Sequence, residues 1–387
     1  MASPTIRVVT VFGIPISVDA SWILIYALIA WSLAAGYFPN RLPGLEPAAY
    51  WASGLLAALL LFVSVLIHEL AHSLVALRFG VAVRGITLHV LGGVSQLADE
   101  PPSPTAEAAI AVVGPLASFG IGAGLWLVRA PDALGTPWAN ALVGYLILVN
   151  VAIGLFNLIP GFPLDGGRML RAAAWRSTGD LTRATAIASR VGGAVALTLV
   201  ALGALQTLRG SLFNGLWLVV IGLFLHRAAG TSYSQTTIRA ALGRLTVSDV
   251  MTHEVVTVPE TASVTDLVRH FRTQRVTSFP VVDGSVVRGV ASVHDVGGIP
   301  AQDRERTSVH EVMRPLTDAL IIAPTATALE ALHRATGNGL GRLVVLDGHR
   351  LVGYLSIKDL THVLSLRGTT ASIEPAFAPH RPQRRAA

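Results

Sequence analysis

The sequence has 387 residues and a formal net charge of +6; 52% of the residues are hydrophobic and only 13% are charged. A soluble domain carries about 25% charged residues, so this composition excludes a wholly soluble protein. The absence of cysteine excludes a disulfide framework and a thiolate zinc site. The arginines stand at the ends of apolar segments and form no single basic patch, which argues against a nucleic-acid partner.

Apolar stretches dominate the chain up to about residue 230. A membrane-spanning helix needs roughly 20 apolar residues, and six stretches reach or approach this length. They lie at residues 20–35, 51–79, 106–128, 139–159, 188–208 and 212–229. We therefore predict a polytopic α-helical membrane domain of about six transmembrane helices at residues 1–230.

Arginine sets the expected orientation of these helices. The loop between the fourth and fifth stretches is rich in arginine, at Arg168, Arg171, Arg176, Arg183 and Arg190. Cytoplasmic loops hold the excess of basic residues in membrane proteins. We therefore expect a multi-pass protein of the cell membrane with both termini in the cytoplasm.

The second stretch contains the pattern HExxH at His68, Glu69 and His72. Residues four apart lie on one face of a helix, so both imidazoles can reach a single ion. Glu69 points about 100° away around the helix, where it can take a proton from a water molecule at the metal. The alternative is a chance cluster of polar side chains. A charged residue costs about 2.5–3.5 kcal/mol at the centre of a membrane helix, however, and a metal ion compensates for that cost.

The end of the fourth stretch offers a third ligand. Catalytic zinc usually takes three protein ligands, and Asp165 follows a helix break at Pro160 and Pro163. Irregular backbone at membrane depth survives only where it is buried or lines a watery cavity. Two interpretations stay open: Asp165 is the third ligand, or it caps a helix predicted at 167–174. His89 is a weaker alternative ligand, expected instead in a strand.

Two asparagines share one face of the fourth stretch, because Asn157 lies seven residues after Asn150. We predict that Asn157 supports the active site, by donating to a developing oxyanion or by fixing the ligands. The alternative is a hydrogen bond between membrane helices. The role of Asn150 stays open.

HExxH in one span, together with Asn-x-x-Pro-x-x-Pro-Leu-Asp-Gly-Gly at 157–167, resembles the site-2 protease family of intramembrane zinc metalloproteases. The resemblance covers roughly the first 230 residues. It implies one zinc ion on His68, His72 and Asp165, with Glu69 as the general base. It also supports a role for Asn157 in the site.

Two accessory features agree with this resemblance. Gly92 and Gly93, within the segment 86–97, resemble the membrane-associated hairpin of the family, and Gly114-Pro115 resembles its third-span turn. The segment 86–97 can supply an edge to which an unwound substrate adds as a strand. The resemblance implies membrane-spanning substrates, such as anti-sigma factors or transcription-factor precursors, cleaved in regulated intramembrane proteolysis.

Beyond residue 246 the pattern changes to short strands and amphipathic helices, and it occurs twice, at about 247–300 and 308–366. A period near 60 residues indicates a tandem repeat whose units bury a face on each other. The units resemble cystathionine-β-synthase-type (CBS) domains, which are α/β modules. The expected order is therefore the membrane domain, a linker at 231–246, a tandem CBS pair at 247–366 and a disordered tail at 367–387.

The CBS resemblance implies an adenine nucleotide in the cleft between the two copies. Asp295 and Asp359 match the aspartate that contacts ribose, and Ser292 and Ser356 lie on the phosphate side. The alternative is that both Ser-x-x-Asp stretches are helix-capping boxes. In that case the pair can serve as a dimerisation module that forms a homo-oligomer.

The sequence thus predicts an intramembrane zinc metalloendopeptidase that is regulated through cytoplasmic CBS domains. The main alternative is a membrane transporter or channel gated by CBS domains, in which the intramembrane His and Asp bind a permeating ion. This alternative explains neither Glu69 within HExxH nor the two prolines before Asp165. A second alternative is a nucleotide-sensing pseudoprotease, against which the complete set of His68, Glu69, His72 and Asp165 argues.

Overall fold

The computed structural model describes residues 5–89, 92–129 and 136–366, and the chain divides into two compact units, Met1–Tyr233 and Ser234–Ala387. In the first unit and its continuation, six helical segments are long and apolar enough to cross a membrane, as predicted. They are Ser21–Arg41, Pro47–Arg78, Pro104–Val128, Pro137–Asn157, Leu181–Leu208 and Leu212–Leu242.

The described residues of the first unit form eight α-helices, the last of which continues beyond Tyr233. They are α1 (Ser21–Ser32), α2 (Phe38–Arg41), α3 (Pro47–Arg78), α4 (Pro104–Val128), α5 (Pro137–Asn157), α6 (Asp165–Thr178), α7 (Leu181–Leu208) and α8 (Leu212–Leu242). A π-helical turn at Leu33–Tyr37 joins α1 to α2. Helices α4 and α5 begin at a proline after a capping hydroxyl, Ser103 and Thr136, which accepts a backbone N–H of the first turn.

The predicted spans differ from the observed helices in length, and the last two differ most. Helix α7 begins at Leu181 instead of residue 188, because the Asp180 side chain accepts the backbone N–H groups of Thr182 and Arg183. Helix α8 continues to Leu242 instead of ending at residue 229. Hydropathy marks the part of a helix that suits lipid, whereas the helix itself ends at its caps.

The strands of the first unit form one sheet in the order β1-β2-β3-β4. They are β1 (Thr5–Val11), β2 (Ile14–Asp19), β3 (Val83–His89) and β4 (Gly92–Leu97). Strands β3 and β4 pair antiparallel, which confirms the hairpin predicted within 86–97. Strand β4 stands at an edge of the sheet.

The predicted break after the fourth span is confirmed. Helix α5 ends at Asn157, and helix α6 begins eight residues later at Asp165. Helix α6 is longer than the predicted 167–174, since it starts two residues earlier and runs to Thr178, where Gly179 in a left-handed conformation ends it.

The second unit contains two βαββ repeats and so confirms the predicted α/β pair. Its strands are β5 (Val258–Pro259), β6 (Ser278–Asp283), β7 (Val286–Ser292), β8 (Arg314–Pro315), β9 (Ile321–Ile322), β10 (Arg342–Asp347) and β11 (Arg350–Ser356). Its helices are α9 (Val264–Gln274), α10 (Val293–Val296), α11 (Val309–Val312), α12 (Ala328–Gly337) and α13 (Ile357–Leu366), with short 3-10 turns at Val247–Asp249 and Asp318–Leu320. The sheets have the orders β5-β6-β7-β8 and β11-β10-β9.

The segment expected as a linker, 231–246, is helical for most of its length. Helix α8 continues through it because Ala241 and Leu242 are buried in the core of the second unit, together with Val247 and Leu343. The expected tail at 367–387 lies outside the described residues.

The two repeats of the second unit are joined by a polar contact as well as by apolar packing. The Tyr354 hydroxyl lies 2.8 Å from Ser278 Oγ, and Arg342 Nε donates to the same Ser278 oxygen at 3.1 Å. Burial of Tyr354 raises its pKa to about 12. This partly buried phenol therefore stays neutral at physiological pH.

Candidate metal centre

Three metal-ligating side chains converge between α3 and the start of α6. His68 Nε2 lies 3.1 Å and His72 Nε2 lies 3.2 Å from the same oxygen, Asp165 Oδ2. The three ligand atoms lie within 4.8 Å of one another, and all three residues are less than 9% exposed. The structure therefore brings together the three residues that the sequence predicted as ligands.

Hydrogen bonds at the opposite ring nitrogens orient both imidazoles. His72 Nδ1 contacts the Ile110 carbonyl oxygen, which can only accept, so this nitrogen carries the proton. The lone pair of a neutral His72 is then on Nε2, facing Asp165. His68 Nδ1 lies 2.9 Å from Ser118 Oγ, a hydroxyl that is fully buried. Such contacts at the outer nitrogen are usual for histidines that bind a metal.

Space for an ion is left by Gly114 of α4. A Cβ atom at this position would lie 2.6 Å from His68 Nε2 and closer still to His72 Nε2. Any side chain here would therefore occupy the space between the two imidazoles. The donor set of two imidazoles and one carboxylate, around a place that only glycine leaves open, fits a zinc ion with three protein ligands.

Asp165 owes its position to a tight turn between α5 and α6. A Cβ at Gly166 would lie 2.4 Å from the carbonyl oxygens of Leu158 and Ile159, so only glycine lets the chain turn back here. Asp165 is the first residue of α6 and makes no capping hydrogen bond; Leu164 occupies the cap position. The capping interpretation of Asp165 is therefore wrong.

The charge state of Asp165 follows from the two histidines. Burial by itself raises the pKa of the Asp165 carboxyl, but the neighbouring His68 and His72 outweigh it and hold that pKa well below its usual range. Asp165 is therefore an anion, the form that binds a cation.

Glu69 lies beside this cluster and touches the sheet. Its Oε2 accepts the backbone N–H of Ser95 in β4 at 3.1 Å. A Cβ at Gly93 of the same strand would lie 2.6 Å from Glu69 Cγ, so the strand packs closely against this side chain. Glu69 is thus held between the metal-ligand cluster and the edge strand, and Gly93 of the predicted hairpin contacts it.

The two asparagines of α5 differ in their surroundings. Asn150 is fully buried and its amide donates to Ser64 Oγ of α3 at 3.0 Å, which is the interhelical bond considered as an alternative for these residues. Asn157 donates to Ile153 O in its own helix, and among the described residues it has no hydrogen bond to the His–Asp cluster. The supporting role of Asn157 stays a prediction.

His89, the weaker alternative ligand, is the last residue of β3, as expected, and the metal-ligand group found among the described residues does not include it.

Helix α4 contains contributors that sequence reasoning missed. Ser118 and the Ile110 carbonyl orient the imidazoles, although a lone serine and a backbone carbonyl in an apolar helix carry no metal signal. Gly114 was noted only as part of a family turn; the sequence did not indicate that its missing side chain leaves space for an ion between the imidazoles. One signal was available: Glu107, Ile110, Gly114 and Ser118 recur at helical spacing and lie on one face of α4.

In the second unit, both predicted Ser-Asp pairs are helix-capping arrangements. Asp295 Oδ2 accepts the backbone N–H of Ser292 at 3.0 Å, and Asp359 Oδ2 accepts that of Ser356 at 2.8 Å. The other oxygen of Asp295 accepts Arg314 Nε at 3.0 Å. The capping interpretation thus describes these four residues, and their role in nucleotide binding stays a prediction.

Comparison with known proteins identifies the family. Residues 56–131 and 132–199 match the sequence profile of Peptidase family M50, and residues 247–296 and 309–366 match that of the CBS domain. The chain is 34% identical over 371 residues, 94% of either chain, to the candidate zinc metalloprotease Rip3 of Mycobacterium tuberculosis. The chain belongs to peptidase family M50.

This M50 peptidase is also 28% identical to the zinc metalloprotease MJ0392 of Methanocaldococcus jannaschii, over 94% of this chain and 96% of that one. Among solved structures it is similar to the site-2 protease of the same organism, with 33% identity, a TM-score of 0.42, and coverage of 59% of this chain and 95% of that one. The family membership makes the protein a multi-pass zinc metalloprotease of the site-2 type. It therefore decides against the transporter or channel that the sequence left as an alternative.

Proposed function

We propose that His68, His72 and Asp165 bind one zinc ion, and that Glu69 is the general base in the hydrolysis of peptide bonds within or next to transmembrane segments of membrane-anchored proteins. The observation that carries the proposal is the convergence of two Nε2 atoms on one carboxylate oxygen inside a candidate membrane helix bundle. Three buried ionisable groups within a membrane helix bundle carry a high free-energy cost, which an ion bound between them offsets.

The residues divide the chemistry between them. Zinc, when bound here, polarises the scissile carbonyl and acidifies a water molecule. Glu69 takes the proton of that water and passes it to the amine that leaves. The Ser95 N–H holds the Glu69 carboxylate at one oxygen, so the other oxygen remains for the proton transfer. His72 keeps its lone pair on Nε2 because its Nδ1 donates to the Ile110 carbonyl, and His68 does so when its Nδ1 donates to Ser118 Oγ.

Strand β4 is the proposed docking site of the unwound substrate. A peptide bond in a helix is protected by the hydrogen bonds of that helix, so cleavage requires local unwinding and new backbone partners. The outer edge of β4 is unpaired by any described strand, and the Ser95 N–H that points outward reaches Glu69. A strand added at this edge would therefore lie beside the general base.

The substrate strand can be tested with two variants of one residue. Ser95→Pro deletes the outward N–H, whereas Ser95→Ala keeps it and loses only the 2.8 Å contact to Ser73 Oγ. We expect Ser95→Pro to lose turnover with zinc content unchanged, because the strand edge and the N–H that holds Glu69 are lost together, and Ser95→Ala to retain most of it. Equal turnover of the two variants would contradict docking at this edge.

The decisive experiment on the activity uses purified full-length protein and a model transmembrane substrate, with wild type beside Glu69→Gln. We expect about one zinc ion per chain in both, and cleavage by the wild type alone. Wild-type protein that binds no zinc would overturn the metal site. A Glu69→Gln variant that cleaves as well as the wild type would overturn the role of Glu69.

We also propose that the CBS pair regulates the peptidase by binding an adenine nucleotide. The match of both repeats to the CBS profile supports this, as does the presence of Asp295 and Asp359 at the positions that resemble ribose ligands. Titration with AMP and ATP should show binding that Asp359→Asn weakens, and cleavage should change when nucleotide is added. Failure to bind either nucleotide at millimolar concentration would leave the pair as a dimerisation module.

The proposed orientation has both termini and the CBS pair in the cytoplasm. The arginine-rich segment between the fourth and fifth spans supports it. In sealed inside-out vesicles a tag at the C-terminus should be accessible to added protease. A protected tag would reverse the orientation without affecting the zinc site.

A further inference from the structure

Helix α4 supplies none of the three proposed ligands, yet one face of it contacts both histidines and the helix that carries Asp165. Glu107, Ile110, Gly114 and Ser118 fall within about 80° around the helix axis. The Ile110 carbonyl contacts His72, Ser118 contacts His68, and Gly114 borders the space between the two imidazoles. Glu107 is the remaining member of this face, and its contacts lead to the helix that carries Asp165.

Glu107 is fully buried and binds two arginines of α6. Its Oε1 accepts Arg171 Nη2 at 2.6 Å, Arg171 Nε at 3.2 Å and Arg168 Nε at 3.1 Å. Its Oε2 has no hydrogen-bond partner among the described residues. Arg171 has a second partner in Glu100, at 3.2 Å, and its guanidinium lies over the Phe162 ring at 5.3 Å from the centroid.

These contacts bear on Asp165 because it is the first residue of the same helix. Arg168 and Arg171 follow it within two turns, so the Glu107 carboxylate fixes where α6 begins relative to α4. Arg171 is 7% exposed at its side chain, and a buried guanidinium that loses its carboxylate is strongly disfavoured. The charge of Asp165 also acts on Arg168.

We propose that Glu107 is a positioning residue of the metal centre: by holding Arg168 and Arg171 it sets α6 so that Asp165 faces both imidazoles. This inference rests on the proposed role of Asp165 as a zinc ligand. A buried ion pair often adds little to the free energy of unfolding. We therefore expect the loss of the Glu107 charge to change metal affinity and ligand geometry more than stability.

Glu107→Gln is a suitable variant because it removes the charge at nearly constant size. Its amide nitrogen can occupy the position of Oε2, which accepts no hydrogen bond among the described residues. Zinc affinity of the full-length protein is measured by competition with a chromophoric chelator, and the ligand field by the visible spectrum of the Co²⁺-substituted protein. We expect about 10- to 100-fold weaker zinc binding and a changed Co²⁺ spectrum. Glu107→Asp, which keeps the charge, should recover part of the affinity. Glu100→Gln, which removes the more exposed partner of Arg171, is the matched control and should leave affinity unchanged.

The outcomes separate this inference from the proposed function. Wild-type protein without zinc binding would overturn both. Wild-type binding with an unchanged affinity and Co²⁺ spectrum in Glu107→Gln would overturn the inference alone, as would a lower apoprotein melting temperature with affinity unchanged. If Glu107→Gln does not fold, Arg168→Gln tests the same contact from the less buried side, and normal zinc affinity in that variant overturns the inference.

Discussion

Gly114→Ala is the smallest change that should remove the metal centre. The added methyl carbon would lie 2.6 Å from His68 Nε2 and closer still to His72 Nε2, whereas an ordinary contact begins at 3.4 Å, so an imidazole or helix α4 must move by more than about 0.8 Å. A metal site tolerates displacements of about 0.5 Å. We therefore expect zinc affinity to fall by about 100-fold or more, with a corresponding loss of cleavage.

The assay is chelator competition on purified Gly114→Ala protein, with circular dichroism to show that the helices are intact. Gly120→Ala is the matched control, because it lies in the same helix and a Cβ there meets nothing within 4 Å. The control should bind zinc like the wild type. The apoprotein of Gly114→Ala should remain folded, since the imidazoles can rotate when no ion holds them. Wild-type zinc affinity in Gly114→Ala would refute the reasoning that the ion lies against α4.

Three further predictions concern single contacts. Ser118→Ala removes the partner of His68 Nδ1 and should weaken zinc binding by about 10- to 100-fold in the same competition assay; unchanged affinity would show that this contact does not orient the ring. Gly93→Ala pushes a methyl group against Glu69 and should lower turnover at normal zinc content, measured by cleavage and metal analysis side by side. Tyr354 has a folded-state pKa of about 12, above the usual value near 10, so the stability that it contributes is complete below pH 10 and is lost as the pH rises through 12. Thermal unfolding of Tyr354→Phe should therefore depend less on pH across this window than that of the wild type; an equal dependence would contradict the assignment.

Local patterns made the membrane helices and the first two proposed ligands predictable from the sequence. A span needs only a run of apolar residues, and HExxH needs only the four-residue stacking of a helix, so His68 and His72 follow from the residues themselves. The break before Asp165 was equally local, because two prolines three residues apart, Pro160 and Pro163, remove backbone donors and disfavour a continuous helix. The capping boxes at Ser292 and Ser356 were foreseen as an alternative for the same reason.

The rest of the centre depends on contacts across the fold. Asp165 lies 97 residues from His68, and only packing of α6 against α4 decides whether its carboxylate caps a helix or faces the imidazoles. Ser118, Gly114 and Glu107 act through space on groups of other helices, so no neighbour in the sequence marks their function. The sequence by itself therefore determined which elements form and which chemistry they carry. The tertiary structure decided which side chains meet, because burial and hydrogen bonds between helices join residues that local pattern leaves independent.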